Sequence, residues 1–430
     1  MHWFYFLAEI DVVWSIAYLV TVFSASELRQ ALGGRFFGAL LIAQAFSLAV
    51  LVASPFPMDS DQFAYVYYGD LTLRGVNPYP QYPAPLHLES QEQRIAVHWG
   101  NPPEVDRYGS AWTLANAAAL APFRKQPAEV QAKLLRALAA LTTLACTIVL
   151  ARVLPITAWR DAALVAFALN PLILVAEGNG GHNDVYLLFF GLLASFFAIR
   201  RSFELAAASL ATAVCIKFAY GPLVPALLAY TYAATRSVLR TVCAFVAFLL
   251  PVVLFSSPLG LQKSLIEPVL GWNSEHPSRI SYFIWRVFAH LPHLHSLSYK
   301  PVTAIVPLCT AGVALAIALY ALKNRRFPLL EITLAVFVLL LPSKLENWYA
   351  VMLVPLLLVQ SRLGLIAFLA ITLACQYLQV RMFAAESAPY VVFTSLAIIV
   401  AALLDEFLRG QNALSAPQTA SASGTTTSIS

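Results

Sequence analysis

A chain of 430 residues that is 60% hydrophobic and 11% charged, with a mean hydropathy of +0.71, carries more apolar surface than a water-facing globule of its size can bury. A soluble multidomain protein is thereby excluded, and lipid is the main solvent. The net charge of +5 is spread over short loops, which gives no support to nucleic-acid binding, and the five cysteines all fall in apolar stretches, which excludes a disulfide framework or a zinc spacing.

Apolar runs predict membrane helices at 3–24, 37–55, 137–154, 161–176, 185–199, 204–218, 222–234, 238–256, 302–322, 328–341, 349–360, 363–380 and 390–408. The expected fold is therefore all-α, a polytopic transmembrane bundle of about 11–13 spans forming one domain over residues 1–410. Pro171 and Gly221-Pro222 are places for broken or re-entrant geometry. The N-terminus lacks a basic segment and carries Glu9 and Asp11, so the first span is expected to be retained. Residues 411–430, rich in Ser, Thr and Ala, are expected to be a disordered tail. Lys and Arg in the short loops alternate consistently: Arg29/Arg35, Arg152/Arg160, Arg200/Arg201, Arg236/Arg240, Lys323/Arg325/Arg326, Arg362 and Arg409 share one side, which predicts the cytoplasm there, with the C-terminus. The opposite side receives 56–136, 177–184, the Lys217 turn, 257–301, 342–348 and 381–389, with most of the acids.

On that acid-rich face the loop after the second span opens Pro57-Met58-Asp59-Ser60-Asp61, where solvated and apolar surroundings meet. Carboxylates so placed act as general bases or jointly hold a divalent cation such as Mg or Mn; Asp-Ser-Asp by itself is more often a pair of solvated loop acids. The aromatic stretch that follows, with Leu71 and Leu73, predicts an interfacial helix stopped by Gly75, holding the acids over the membrane. In Glu177-Gly178-Asn179-Gly180-Gly181-His182-Asn183-Asp184 the glycines allow close backbone approach and offer N–H groups to an anion. A tight turn with Asp184 as helix cap is the plain alternative, and it accounts less well for His182 and Glu177. Lys217 has two equal readings: an ammonium snorkelling to the interface, or a cation for a lipid phosphate. The loop 257–301, with Trp272, Asn273, Glu275, His276, Arg279 and Trp285, combines flat rings with planar hydrogen-bonding groups as carbohydrate sites do, or else forms an aromatic belt. His290, His293 and His295 have no nearby acid or cysteine and are not read as a metal site. In Pro342-Ser343-Lys344-Leu345-Glu346-Asn347-Trp348-Tyr349, Lys344 and Glu346 form an ordinary interface pair beside belt aromatics on the plainest reading.

The order of these clusters carries a resemblance. Asp59-Ser60-Asp61, an aromatic stretch and Gly75-Val76-Asn77-Pro78-Tyr79 come first, then Asn170-Pro171-Leu172 with Gly180-Gly181-His182-Asn183-Asp184, then Lys217 to Pro225 and a late Trp348-Tyr349. This series resembles the GT-C class of membrane glycosyltransferases, most closely the polyprenyl-phosphate-mannose-dependent mannosyltransferases of bacteria and their eukaryotic GPI-anchor relatives. It departs from the bacterial pattern in the aromatic stretch, where Phe63-Ala64-Tyr65 and Tyr67-Tyr68-Gly69-Asp70 replace Tyr-Arg-Tyr and Trp-Asp-Gly-Arg.

The resemblance implies an inverting transfer of a sugar, mannose first, from a polyprenyl-phosphate donor to an extracytoplasmic glycan, lipid or protein acceptor at a bacterial inner membrane. It implies Asp61 as base, with Asp59 as partner or metal ligand. Lys217, Arg279 and Lys344 would meet the donor phosphate, and His182, Asn183, Asp184, Glu346, Tyr79 and Trp348 would position substrate. The rival is a polytopic transporter or lipid-linked-sugar flippase, but ionisable residues concentrate at one face here and no paired halves with broken helices recur.

Overall fold

The computed structural model describes residues 2–55, 61–79, 106, 108–157, 159–266, 299–324, 358 and 362–381, and among these every regular element is helical. Helix α1 (His2–Phe23) is followed by a short amphipathic α2 (Ala25–Leu32), a 3-10 turn and α3 (Phe36–Ala53). Then come α4 (Asp61–Leu73), α5 (Ser110–Leu120), α6 (Ala128–Val153), α7 (Arg160–Ala168) and α8 (Pro171–Val175), which runs on into a π turn, Ala176–Gly180. The remaining helices are α9 (Asp184–Ile199), α10 (Phe203–Ile216), α11 (Leu223–Thr235), α12 (Val238–Ser256), α13 (Tyr299–Asn324) and α14 (Arg362–Arg381). Four stretches among the described residues, Ala25–Ala53, Ala128–Val153, Arg160–Gly180 and Val238–Leu259, are long and apolar enough to cross a membrane. The chain is an all-α polytopic membrane protein. The spans expected at 328–341 and 390–408, and nearly all of 349–360, lie outside the described residues.

The layers run α12, α10, α9, α6, α3, each packed on the next, with α4 and α5 set against α6 and α11 against α13. Along α12, Leu239, Val242, Phe245, Val246, Leu250 and Leu254 stay exposed, a row that lipid covers in a spanning helix. Inside the bundle polar groups pair across helices, since no water is there to satisfy them. The Thr147 hydroxyl donates to Gln44 Oε1 at 2.8 Å, joining α6 to α3. Asn170 does more. Pro171 cannot donate an amide to a continuing helix, so the chain breaks after α7 and Asn170 caps α8, its Oδ1 accepting from the Ile173 N–H at 3.2 Å. Its Nδ2 donates to the Tyr18 hydroxyl at 3.0 Å and to Thr372 Oγ1 at 3.1 Å, tying α1 and α14 to the break.

The helix expected after the second span is present as α4 and ends ahead of Gly75, whose φ of +76° suits glycine. It lies under α5, an element absent from the sequence expectation, and Gln62 through Leu71 are all buried. Edge-to-face rings fasten the two helices: Tyr65 meets Trp112 at 5.1 Å and Tyr108 at 4.9 Å. Gly69 permits the approach, since a Cβ there would stand 2.9 Å from Leu120 Cδ1.

The turn into α5 is clamped to the end of α10. The Gly109 N–H donates to the Ile216 carbonyl at 3.0 Å, and a Cβ on Gly109 would lie 2.1 Å from the Cys215 carbonyl oxygen. Rigid backbone cannot yield as a side-chain tip would. Gly109→Ala is therefore expected to cost stability at the upper end of the roughly 1–3 kcal/mol of overpacking or beyond it, while Gly34→Ala, whose Cβ meets nothing within 4 Å, serves as control. Thermal unfolding of the two purified variants in one detergent checks this; equal midpoints would refute the clamp.

Candidate functional site

The end of α3, the start of α4, the π turn after α8 and the end of α10 supply the polar groups of one mouth of the bundle. Local chain geometry explains their convergence. The π turn presses its backbone onto α3, where a Cβ on Gly178 would stand 2.9 Å from Leu51 Cβ. Gly181, at φ +65°, then reverses the chain against α6, where a Cβ would stand 2.9 Å from Arg136 Cγ. Arg136 itself is buried and donates from Nη1 to the Ser54 carbonyl at 3.2 Å, joining α6 to the residue that ends α3.

With the turn so placed, His182 Nδ1 lies 3.8 Å from Asp61 Oδ2. The imidazole is 2% exposed and the carboxylate 34%, so Asp61 is the member of the pair that opens to the outside. Two residues on, Asp184 begins α9 and its Oδ1 accepts from Lys217 Nζ at 2.7 Å. The plain alternative of Asp184 as helix cap does not hold: Asn183 takes that position, without a side-chain cap bond, and the carboxylate turns to Lys217. The structure brings together Asp61, His182, Asn183, Asp184 and Lys217. Glu177, in the π turn, is fully buried beside them in sequence. Asp59, Arg279, Lys344, Glu346 and Trp348 lie outside the described residues, so the Asp59 and Asp61 pair considered for Mg or Mn is described only in its second half. Among the described residues no group of three or more His, Cys, Asp or Glu side chains is placed to hold a metal.

Tyr79 sits in a network that the sequence did not reveal. Its buried hydroxyl donates to the Tyr108 carbonyl at 2.9 Å and lies 3.0 Å from Thr113 Oγ1, which in turn lies 2.6 Å from Asp106 Oδ2. Asp106 Oδ1 accepts from the Tyr108 N–H at 2.8 Å, and its own N–H donates to the Pro78 carbonyl at 3.0 Å. Asn77 closes the same junction by donating from Nδ2 to the Leu259 carbonyl at 2.7 Å. The Gly-x-Asn-Pro-Tyr ending therefore braces the fold around α5. The sequence cue to Asp106 is no more than an acid ahead of Tyr108-Gly109, two residues after Glu104, and Arg136 had only its place at the edge of an apolar run.

Asp106 accepts from the Thr113 hydroxyl and from the Tyr108 N–H. Burial pushes its carboxyl up to about 7, against the pull of these two hydrogen bonds.

A family model described as Alpha-(1->6)-mannopyranosyltransferase, N-terminal domain, matches residues 11–235, just over half the chain. No curated protein and no solved structure matches. The matched region contains Asp61, Asp106, Arg136, His182, Asp184 and Lys217.

The folded protein keeps the Asp106 proton up to about pH 7, whereas the ordinary value of the group is 3.8. Its stabilising contribution is full below the lower value, declines as pH rises and is lost above about 7. The thermal midpoint of the parent protein in detergent is expected to fall by several degrees more between pH 5 and pH 8 than that of Asp106→Asn, whose amide oxygen still accepts from Thr113 but whose side chain does not titrate. Parallel profiles for the two proteins would remove Asp106 from this role.

Proposed function

The chain belongs to the alpha-(1->6)-mannopyranosyltransferase family, and from that premise we propose that it moves mannose from a polyprenyl-phosphate donor to an extracytoplasmic glycan, lipid or protein acceptor, with inversion at the anomeric carbon. The observation that carries the reading is the half-exposed Asp61 carboxylate at the mouth of an apolar bundle, with the buried His182 imidazole beside it. A donor of this kind has two incompatible parts, a prenyl chain that needs apolar surroundings and a phosphosugar that needs polar ones. A mouth that gathers polar groups at the ends of α3 and α8 suits both at once.

In the proposed step Asp61 takes the proton of the acceptor hydroxyl as its oxygen attacks the anomeric carbon from the face opposite the phosphate. The bond between that carbon and the phosphate oxygen breaks, and its electron pair leaves with the lipid phosphate. Because that leaving group is already a stable anion, it needs a counter-charge rather than a proton. Arg279 and Lys344, on the same predicted face, are the proposed counter-charges. His182 holds the head groups in line, and Asp59 assists Asp61.

General-base catalysis contributes about 10²–10⁴-fold. Purified Asp61→Asn is therefore expected to lose transfer of radiolabelled mannose from polyprenyl-phosphate mannose by a factor in that range, while still inserting in the membrane and binding donor. Near-normal turnover in this variant would remove Asp61 as the base; transfer from a soluble nucleotide sugar, with none from the lipid donor, would overturn the donor.

A further inference from the structure

Lys217 follows α10 directly, and its ammonium lies 2.7 Å from Asp184 Oδ1, at the first turn of α9. The carboxylate is 1% exposed against 21% for the lysine, so it is the buried partner. Its Oδ2 and the neighbouring Asn183 Nδ2 have no hydrogen-bond partner among the described residues. A carboxylate in so dry a place depends on its cation, with the N-terminus of α9 the other favourable charge beside it. The chain from Gly181 to Asp184 is short and pressed on Arg136, so a displaced Asp184 shifts His182, which faces Asp61 at 3.8 Å.

We propose that Lys217 is a positioning residue for mannosyl transfer: by holding Asp184 it fixes the His182-Asn183-Asp184 turn and so keeps Asp61 aligned on the acceptor hydroxyl, rather than binding the donor phosphate. The proposal rests on the assignment of Asp61 as the base. Holding a reacting group in line is worth large factors in rate, and a displacement of about 1 Å costs about 10²-fold.

Lys217→Met strands the buried carboxylate. Turnover is expected to fall by about 10²-fold with the KM for polyprenyl-phosphate mannose unchanged, and adding Asp184→Asn, which removes the stranded charge, is expected to restore most of the loss. A rise in donor KM with turnover kept, or a Lys217→Met defect that Asp184→Asn leaves untouched, overturns the proposal. If Lys217→Met is not recovered as a monodisperse protein, the double variant is compared with Asp184→Asn alone. Equal donor KM supports positioning, and a higher KM in the double variant overturns it.

A second readout needs no transfer. With the five native cysteines replaced, Asn183→Cys is expected to react with a maleimide about 10-fold faster when Lys217→Met is added, because the turn opens locally. Addition of Asp184→Asn is expected to return the rate. An unchanged rate in Lys217→Met overturns the proposal. This arm decides the role of the pair even if Asp61→Asn proves active and the base lies elsewhere.

Discussion

Bare backbone against backbone and side chain, at Gly178 on α3 and Gly181 on α6, is the contact on which the polar mouth depends. A methyl group at either place would push the π turn off its neighbours by a few tenths of an ångström or more. The turn would then no longer deliver His182 toward the start of α4 and Asp184 toward the end of α10. A π turn at the end of α8 gives the extra residue that such a sharp exit needs, and irregular helical turns of this kind are frequent where side chains must be aimed. Rigid helices on both sides make the aim reproducible.

Charge is handled within the same frame. Three acids set deep in the described structure answer burial in two ways. Asp184 takes Lys217 and Asp70 takes both Arg74 at 3.1 Å and Arg124 at 3.0 Å, whereas Asp106 accepts from Thr113 and the Tyr108 N–H while burial pushes its carboxyl up to about 7. Asp61 differs from all three in its exposure, and it faces an imidazole, whose charge depends on protonation. Asp70 and Asp61 thus stand in different surroundings on one helix, the first held between two guanidinium groups and the second open at the mouth.

Much of this was legible in the sequence because membrane helices announce themselves by unbroken apolar runs. Helix α12 starts and ends where hydropathy places it, α9 within one residue of it, and the stop of α4 near Gly75 follows from the glycine. Helix α5 escaped because its eleven residues, with Ser110, Thr113 and Asn116 buried, are too short and too polar to resemble a span. It is stabilised by ring packing on α4, a tertiary effect that no local pattern carries. The grouping of Asp61 with His182 was expected as a set of motifs in order; the pairing of Lys217 with Asp184 was not, because two residues 33 apart in sequence meet only through the packing of α9 on α10. The masking of Asp106 inside a polar loop is of the same kind.

The Asn170 amide has a consequence for how the protein is made. One of its hydrogens goes to a hydroxyl 152 residues earlier and the other to one 202 residues later. A chain emerging stepwise into the bilayer thus has Tyr18 and Asn170 in place long before Thr372 exists. Until α14 arrives, an amide hydrogen at the break between α7 and α8 must be satisfied by water, lipid headgroups or the insertion machinery. The helix break that shapes the mouth is therefore completed only when a late segment has been synthesised and docked, so that order of synthesis, and not sequence pattern alone, decides when the polar mouth closes.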